Sequence, residues 1–325
     1  QPMEDKKTGN WLTFNGEIYN FQEIRNRLRA AGDEFISNSD SEVILKTYAR
    51  WGRDCIQHFR GIFAFAIWDV SKRRLLLVRD HLGIKPLYFW LGNGQLLFAS
   101  EVRALLASGL IPRSAETEGL LSFLAYGSTQ EPFTLVAGIR SLPAGCYACY
   151  ENGKLEIHAY WHPPAFSDPE VRDLHSIDQK TQQILSEAVR LQMVSDVPIG
   201  VFLSGGIDST AVAALMQQAS SSPIKSFCIV FPESSFDERT YAREAAIHIG
   251  TEHSELELRE EDFCQHLEAA LGAFDQPSID GLNTYFVSKA TREAGLTVAL
   301  SGLGGDEVFV GYNGFQKPLL LHQAQ

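Results

Sequence analysis

The 325-residue sequence contains no apolar run that approaches the roughly 18–20 residues of a membrane-spanning helix. It also contains no cluster of Lys and Arg: 40 Asp and Glu outnumber 28 Lys and Arg, which leaves a formal net charge of −12. Proteins that bind a phosphate backbone usually concentrate basic residues on one surface. The sequence therefore does not predict a membrane protein and disfavours a nucleic-acid partner, with a local basic groove left as the open alternative.

Cysteine is scarce as well, with five residues scattered along the chain. Such a set does not make a disulfide framework and no signal peptide is visible, so we expect a reducing cytoplasm. A leader could still precede the first residues, QPMEDKK, which do not begin with an initiator Met. Cys146 and Cys149 form a C-x-x-C pair, but strand residues three apart lie on opposite faces, which predicts buried cysteines rather than a metal site.

The length and a 45% hydrophobic composition predict a globular chain of two domains. Residues 10–160 contain short apolar runs separated by turn residues, which predicts mainly antiparallel sheet. The hairpin signals are Asn15-Gly16, Gly92-Asn93-Gly94 and Glu151-Asn152-Gly153. Helices are predicted over 21–31 and 40–51, the second with Ser39 and Glu42 as a capping box.

The pattern changes after residues 161–169, a stretch with three prolines that we interpret as a linker. Predicted helices over 177–193, 209–218 and 236–249 alternate with predicted strands over 199–203, 224–231 and 297–300. This alternation indicates a parallel sheet. Glycine-rich turns follow the first and last of these strands, and ligands bind beyond the carboxyl ends of parallel strands, so we expect both turns to face one crevice.

The first glycine turn, SGGIDS (Ser204–Ser209), connects a predicted strand to a predicted helix. Backbone N–H groups in such a turn bind anions, whereas Asp208 would repel a phosphate unless Mg²⁺ lies between them. The sequence has neither the G-x-x-x-x-G-K-[ST] nor the G-x-G-x-x-G motif. The turn therefore predicts a phosphate-bearing ligand with Mg²⁺, and the alternative is a plain structural turn.

SGGIDS resembles the pyrophosphatase loop of the ATP-pyrophosphatase enzymes. LSGLGGDEVFVGY resembles a segment of the glutamine-dependent asparagine synthetase family, and the first half resembles that family's glutaminase domain at NGEIYN, SDSE, RGIFAFAIWD and RDHLGIKPLYF. The resemblance implies an α/β and α+β fold. An N-terminal-nucleophile glutaminase-like layered sheet domain would cover 1–162, and a parallel-sheet ATP-pyrophosphatase domain would cover 163–325.

The resemblance also implies an activity: asparagine synthesis from aspartate with ammonia derived from glutamine, through a β-aspartyl-AMP intermediate, with release of AMP and pyrophosphate. ATP and Mg²⁺ would be required, the partners would be these small molecules, and a homodimer is a further expectation. Two alternatives stay open. One is an amide-forming enzyme for another carboxylate, and the other is a non-catalytic nucleotide-binding fragment.

By resemblance, the ATP-binding residues are Leu203, Ser204, Gly205, Gly206, Asp208, Ser209, Ile229, Ser301 and Gly302. Asp208 and Asp306 would hold Mg²⁺, and a helix N-cap is the second interpretation of Asp306. In the first domain, Asn15 and Gly16 match the oxyanion-stabilising pair, and a hairpin turn is their alternative interpretation. Glu17 and Asp40 match the residues that hold the α-amino group of glutamine.

The sequence departs from the family in three ways. The family's nucleophile is an N-terminal cysteine, which is not present, so we expect it upstream and expect no glutaminase activity from the chain as given. We expect the catalytic lysine and much of the aspartate site to follow Gln325. Leu303 occupies a position where the asparagine synthetases usually have Glu, and it should lie beside the nucleotide. We interpret Arg79 and Asp80 as a structural ion pair.

Overall fold

The computed structural model describes residues 1–164, 173–195, 197–230 and 238–312, and the chain forms two compact units. Unit 1 comprises Gln1–Asp168 together with Phe274–Ile279, and unit 2 comprises Pro169–Ala273 and Asp280–Gln325. Among the helices of the described ranges, none is long and apolar enough to cross a membrane. Much of the predicted linker lies outside the described residues, as do the first residues of the helix predicted over 236–249.

Unit 1 is built mainly from antiparallel strands, as the alternating apolar runs predict. Its strands are β1 (Met3–Asp5), β2 (Asn10–Ile18), β3 (Gly61–Asp69), β4 (Arg74–Arg79), β5 (Tyr88–Gly92), β6 (Gln95–Ala99), β7 (Ile139–Ser141), β8 (Cys146–Glu151) and β9 (Lys154–Ala159). Its helices are α1 (Phe21–Ala30), α2 (Asp40–Trp51), α3 (Val102–Ala107) and α4 (Thr117–Tyr126), with a 3₁₀ helix over Gly52–His58. One sheet has the order β1-β2-β3-β4-β8-β9 and the other β6-β5-β7.

Strand β3 shows how its sequence creates the layers of unit 1. Phe63, Phe65 and Ile67 lie on one face, where they pack with residues of α1 and α2. Ala64 and Ala66 lie on the opposite face and pack with residues of β5. Because alanine is small, the two sheets can approach closely on that side, while helix α3 packs against the far side of the second sheet.

Two of the three Asn-Gly signals form the predicted hairpins. Asn93 and Gly94 connect β5 to β6 with φ of 52° and 73°, and Asn152 and Gly153 connect β8 to β9 with φ of 52° and 78°. Positive φ at both central residues is typical of a type I′ turn. The Asn15-Gly16 hairpin is wrong, because strand β2 continues through both residues and pairs with β3 from Trp11 to Ile18.

The capping box predicted for α2 is only half correct. The Ser39 side chain accepts a hydrogen bond from the Ser41 N–H, as an N-cap does. The Glu42 carboxylate instead accepts hydrogen bonds from the Ile36 and Ser37 N–H groups at 3.0 and 2.7 Å. It thereby fastens the preceding loop to the helix, where a capping box would return to the N-cap itself.

In its described residues, unit 2 contains the three helices and three strands that the sequence predicts, with bounds that differ from the predicted ones by no more than three residues, and four further elements that were not predicted. Its helices are α5 (Leu174–Gln192), α6 (Ile207–Ala219), α7 (Arg239–Ile249), α8 (Glu260–Ala273), α9 (Gly281–Glu293) and α10 (Gly305–Phe309). Its strands are β10 (Ile199–Phe202), β11 (Lys225–Val230), β12 (Glu252–Glu257) and β13 (Val298–Leu300). All strand pairs are parallel, in the order β12-β11-β10-β13.

The strand order of unit 2 places a switch point between β10 and β13. From β10 the chain continues outward through β11 and β12, and it then returns to the opposite side of β10 as β13. Val201 and Leu203 of the central strand region pack with Ala213 and Met216 of α6 in the core. A crevice at the carboxyl ends of β10 and β13 is the usual ligand position in such a sheet.

Candidate functional site

The two glycine-rich loops begin side by side. Strands β10 and β13 are in register, with Val201 opposite Leu300, so the loops that follow them leave the sheet at the same edge. The prediction that both loops face one crevice is confirmed by a cleft of about 890 Å³ lined by residues of both. This volume is within the range of small-molecule sites, roughly 300–1,000 Å³.

The first loop requires glycine at Gly205. Its φ is +81°, and a Cβ there would lie 2.5 Å from the Cβ of Tyr241 on α7. The Ser204 and Ser209 hydroxyls are 3.0 Å apart, and the Ser209 Oγ also accepts a hydrogen bond from the Ser204 N–H. The Gly206 N–H donates to the Ser204 Oγ at 3.3 Å. The two serines therefore close the loop at the start of α6, as in a phosphate-binding turn.

The second loop lies directly against the first. A Cβ on Gly302 would lie 2.7 Å from the Ser209 backbone nitrogen, and one on Gly305 would collide with the Asp208 carboxylate. The Ser301 Oγ accepts a hydrogen bond from the Leu303 N–H at 3.1 Å. Gly302 thus allows the backbones of the two loops to touch, and Gly305 leaves room for the Asp208 side chain.

Most of the predicted nucleotide residues line the cleft. The predicted residues in its lining are Ser204, Gly206, Asp208, Ser209, Ser301, Gly302 and Asp306. Leu203 is buried in the core, Gly205 faces α7, and Ile229 lies half-buried on β11, so these three are not in the lining. The cleft also has apolar walls that the sequence did not predict, formed by Leu185, Phe202, Ile207 and Phe309. Ile207 and Phe309 adjoin the motifs, whereas Leu185 on α5 has no local signal.

Two carboxylates, one from each loop, face the cleft. Asp208 is in the first turn of α6, and Asp306 is in the first turn of α10. The N-cap interpretation of Asp306 is wrong, since the N-cap of α10 is Gly304 and no side chain caps the helix. A hydrogen bond to Glu307 raises the pKa of Tyr312, and the charges of Asp306 and Asp208 raise it further.

The donor set fits a shared magnesium ion better than a metal site made by protein alone. In the described ranges, no group of three or more His, Cys, Asp and Glu side chains could hold a metal. Mg²⁺ is commonly held by one or two carboxylates, with phosphate and water oxygens completing its six ligands. Asp208 and Asp306 would be the residues that hold it here.

In unit 1, Asn15 and Gly16 lie within β2 at the edge of a second cavity of about 380 Å³, which Asn15 lines. Gly16 has φ of +144°, and a Cβ there would collide with the Ile62 carbonyl oxygen on β3. The Asn15 Nδ2 donates to the Ser100 Oγ at 3.3 Å. Because strand residues alternate, Asn15 and Glu17 lie on the same face of β2.

Asp40 is brought to the same end of β2 by helix α2. Its carboxylate accepts a hydrogen bond from the Ile18 N–H at 3.2 Å. Burial raises the pKa of Asp40, although this hydrogen bond and those from the start of α2 act in the opposite direction. Burial also raises the pKa of Tyr19 to about 12, with further contributions from Glu17 and Asp80. The four residues predicted for glutamine therefore lie on, or directly against, one strand.

The predicted Arg79–Asp80 ion pair is wrong. Arg79 pairs with Glu131 and donates to the Ser141 hydroxyl and to the Leu142 carbonyl oxygen. The Asp80 carboxylate instead accepts hydrogen bonds from backbone N–H groups of the loop that follows it, including those of Leu82, Ile84 and Lys85. Adjacent residues at a strand end point in opposite directions, so each finds its own partners.

Cys146 and Cys149 are buried on β8, as predicted. Cys146 belongs to the core cluster that also contains Ala64, Leu87 and Ala148.

Unit 1 thus has layered antiparallel sheets, and unit 2 has a parallel sheet with two converging glycine loops. Residues 1–161 match the family model described as a glutamine amidotransferase domain, and residues 180–325 match the one described as asparagine synthase. The chain belongs to the glutamine-hydrolysing asparagine synthetase family.

Several curated relatives resemble the chain over nearly all of its length. Asparagine synthetase (glutamine-hydrolyzing) 1 of Bacillus subtilis (strain 168) is 34% identical over 324 residues, which cover 99% of this chain and 50% of that protein. Asparagine synthetase (glutamine-hydrolyzing) 3 of the same organism is 33% identical, with 97% and 54% covered. Amidase chry2 of Gibberella zeae is 32% identical, with 97% and 49% covered. The chain thus spans about half the length of these relatives.

Proposed function

We propose that this chain takes part in ATP-dependent asparagine synthesis, in which unit 2 binds Mg·ATP and unit 1 binds glutamine as the nitrogen donor. The proposal is supported by family membership and by the meeting of two glycine loops, each with a carboxylate, in one cleft. The convergence of the loops is the observation that carries it, because neither loop alone distinguishes a nucleotide site from a structural turn.

The chemistry requires activation of a carboxylate, because ammonia cannot displace oxide from it. Adenylation of the β-carboxylate of aspartate would provide AMP as a leaving group and would release pyrophosphate. Ser204, Gly206 and Ser209 would hold the phosphates at the positive end of α6, which favours the charge that develops on pyrophosphate. Magnesium held by Asp208 and Asp306 would neutralise further phosphate charge.

In the complete gene product, unit 1 would form the glutamine site at which hydrolysis supplies the ammonia. Asn15 and Gly16 would stabilise the oxyanion of the tetrahedral intermediate, and Glu17 and Asp40 would hold the substrate's α-amino group. A raised pKa of Asp40 in the free protein accords with this role, because a bound ammonium group would return its carboxylate to the charged form. The five cysteines, all within the described residues, form no disulfide, which suits a reducing cytoplasm.

The test is calorimetric titration of Mg·ATP into the wild-type protein and the Asp208→Asn variant. Loss of one charged metal ligand should weaken Mg-dependent binding about 10- to 100-fold, which corresponds to about 1.5–3 kcal/mol. Glu268→Gln, which neutralises an exposed carboxylate on α8, is the matched control and should bind like the wild type. Equal affinities of the wild type and Asp208→Asn would reject the assigned metal role.

A second acceptor class is favoured by one observation, the exposed leucine in the cleft. Leu303 is 87% exposed and lines the cleft, with the exposed side chains of Ile207 and Phe309 nearby in its lining. An apolar wall suits a substrate whose carboxylate is attached to an apolar carbon frame. Such a wall offers no hydrogen bond to a polar group of the substrate.

Carboxylate-dependent exchange between ATP and pyrophosphate would separate the two acceptor classes in the complete gene product. Exchange stimulated by aspartate supports asparagine synthesis, and Leu303→Glu should then preserve or raise it. Exchange stimulated only by apolar carboxylates supports the second class, and Leu303→Glu should then raise their KM. Leu271→Glu, an exposed leucine on α8 outside the cleft, is the control for the added charge.

A further inference from the structure

A short segment from the second half of the sequence completes unit 1. Phe274–Ile279, here termed the strap, lies between α8 and α9 in sequence but belongs to unit 1. The Ile279 N–H donates to the Gly127 carbonyl oxygen at 3.0 Å, and the Gln276 Oε1 accepts the Leu135 N–H at 3.0 Å. The strap is therefore held at both the middle and the end by hydrogen bonds to the backbone that surrounds α4.

Asp275 of the strap caps helix α3. Its two carboxylate oxygens accept hydrogen bonds from the backbone N–H groups of Val102 and Arg103 at 2.6 and 2.9 Å. The carboxylate also forms an ion pair with the Arg103 Nε at 3.3 Å. The first N–H groups of a helix have no partner within the helix. The residue that satisfies them here is more than 170 positions away in sequence, whereas an N-cap normally comes from the residue just before the helix.

The start of α3 is connected directly to the predicted glutamine site. Strand β6 ends at Ala99 and α3 begins at Val102, so Ser100 and Glu101 form the whole connection. Ala99 is held by its pairing with Tyr88, and Val102 is held by Asp275. Ser100, between these two fixed points, accepts the hydrogen bond from the Asn15 Nδ2, and both side chains line the same cavity.

The bond to Ser100 holds the end of the Asn15 side chain in place at the cavity. An amide nitrogen carries two N–H donors, so one can bond to Ser100 while the other remains for a ligand in the cavity. Without the serine hydroxyl, the Asn15 side chain would lose this anchor and its N–H groups would no longer be held toward the ligand. Oxyanion stabilisation depends on donors that are already aimed before the charge develops.

We propose that Asp275 is a positioning residue for glutamine hydrolysis: by fixing the start of α3 it holds Ser100 in place, and Ser100 aims the amide of Asn15. This inference rests on the proposed function, because the oxyanion role of Asn15 is part of that proposal. The inference goes beyond the proposed function by assigning control of the glutamine site to a residue that lies within the asparagine synthase match, residues 180–325. Asp275 itself touches no substrate in this scheme.

The experiment measures glutaminase and ammonia-dependent activities of the complete gene product with Asp275→Ala, Asp275→Asn and Ser100→Ala. Asp275→Ala and Ser100→Ala should each lower the glutaminase kcat about 10- to 100-fold, the usual scale for a misplaced catalytic group, with little change in KM. Asp275→Asn should be intermediate because its amide keeps one acceptor. The double variant Asp275→Ala/Ser100→Ala should lose no more glutaminase activity than either single variant. The ammonia-dependent activity of all variants should stay unchanged.

Asp173→Ala is the matched control. Asp173 also accepts two backbone N–H groups at a helix start, those of His175 and Ser176 at 3.2 Å each, but it does so on α5 of unit 2. Its loss should leave the ratio of the two activities unchanged. Equal losses of both activities in Asp275→Ala, or an unchanged glutaminase kcat, would overturn the inference in favour of a cap that only stabilises the fold.

A crystal structure of Asp275→Ala separates failure of the inference from failure of the proposed function. If the wild-type protein hydrolyses no glutamine, the glutaminase part of the proposed function fails, and the structure of the variant still decides the geometric claim. Displacement of Ser100 with loss of its hydrogen bond to Asn15 supports the positioning role. Retention of that hydrogen bond overturns it.

Discussion

Gly205 shows how much of the cleft in unit 2 depends on a single backbone conformation. Its φ of +81° lies in the left-handed region, and the space where a Cβ would project is filled by Tyr241. Gly295 has nearly the same φ, +84°, but no atom lies within 4 Å of its projected Cβ. The two glycines therefore separate backbone strain from steric collision.

We expect Gly205→Ala to destabilise unit 2 by about 2–4 kcal/mol, the sum of the left-handed penalty and overpacking against α7. Gly295→Ala should cost only the backbone part, about 1–2 kcal/mol. Urea unfolding, monitored by hydrogen exchange of the amides of unit 2, would measure the free energy of unfolding of both variants. Equal costs for the two variants would contradict the role assigned to the Tyr241 contact.

His253 on β12 should make unit 2 sensitive to acid. Its Nδ1 lies 2.9 Å from the Ser226 Oγ, and its Nε2 is buried without a hydrogen-bond partner. Burial lowers the pKa of His253, and the charge of Arg243 lowers it while that of Glu255 raises it. Below the ordinary histidine pKa, about 6.5, the unfolded chain takes up a proton that the folded chain resists, so stability is lost as pH falls.

Between pH 7 and 5, the free energy of unfolding of unit 2 should therefore fall, and His253→Asn should reduce the slope. His248→Asn, which removes an exposed histidine from α7, should leave the slope as it is in the wild type. Denaturant titrations at several pH values provide the measurement. A slope that is the same in the wild type and His253→Asn would show that other groups cause it.

At the scale of elements, helix α2 is held by a side chain that acts outside the helix. Glu42 is only 6% exposed, and its carboxylate binds the Ile36 and Ser37 N–H groups and the Ser37 hydroxyl. These bonds fix the loop from which Asp40 begins the helix. The position of Asp40 beside Ile18 thus depends on Glu42 as well as on the core packing of α2.

Glu42→Ala should destabilise unit 1 by about 2–4 kcal/mol, because the two backbone donors would lose charged partners. Glu34→Ala, which removes an exposed carboxylate from the same loop, should change stability by less than about 0.5 kcal/mol. Thermal unfolding of the variants gives the comparison. Equal stability of the two variants would show that water satisfies the backbone N–H groups of the loop and that helix α2 does not need Glu42.

The elements also show where sequence patterns predict structure well and where they do not. The same Asn-Gly pair forms a hairpin at Asn93 and at Asn152 but continues a strand at Asn15. A hairpin needs a partner run on each side, and for Asn15 the long-range pairing with β3 takes precedence over the local turn preference. Local turn preferences compete with pairing between strands that are distant in sequence. A short stretch of sequence shows only the local preferences.

For the whole molecule, the two-unit division predicts where Mg·ATP will act. A ligand that binds only the folded cleft stabilises the unit that contains it, by about 2.7 kcal/mol at a concentration 100 times its Kd. Hydrogen exchange with saturating Mg·ATP should therefore slow in residues 204–209 and 301–306 and in the core of unit 2. Unit 1 is the internal control, and equal protection in both units would contradict a site confined to the cleft.

The sequence by itself determined the class of each unit and most of the residues in the cleft. Alternating apolar residues in β3 specify two buried faces, and the strand–glycine–helix order around Asp208 predicts an anion site, because both patterns depend on neighbours within about ten residues. Only the tertiary structure decided which distant groups meet. The contact of Gly302 with Ser209, the separate partners of Arg79 and Asp80, and the capping of α3 by Asp275 all join residues through folding of the backbone, and no local pattern of polarity or spacing encodes them.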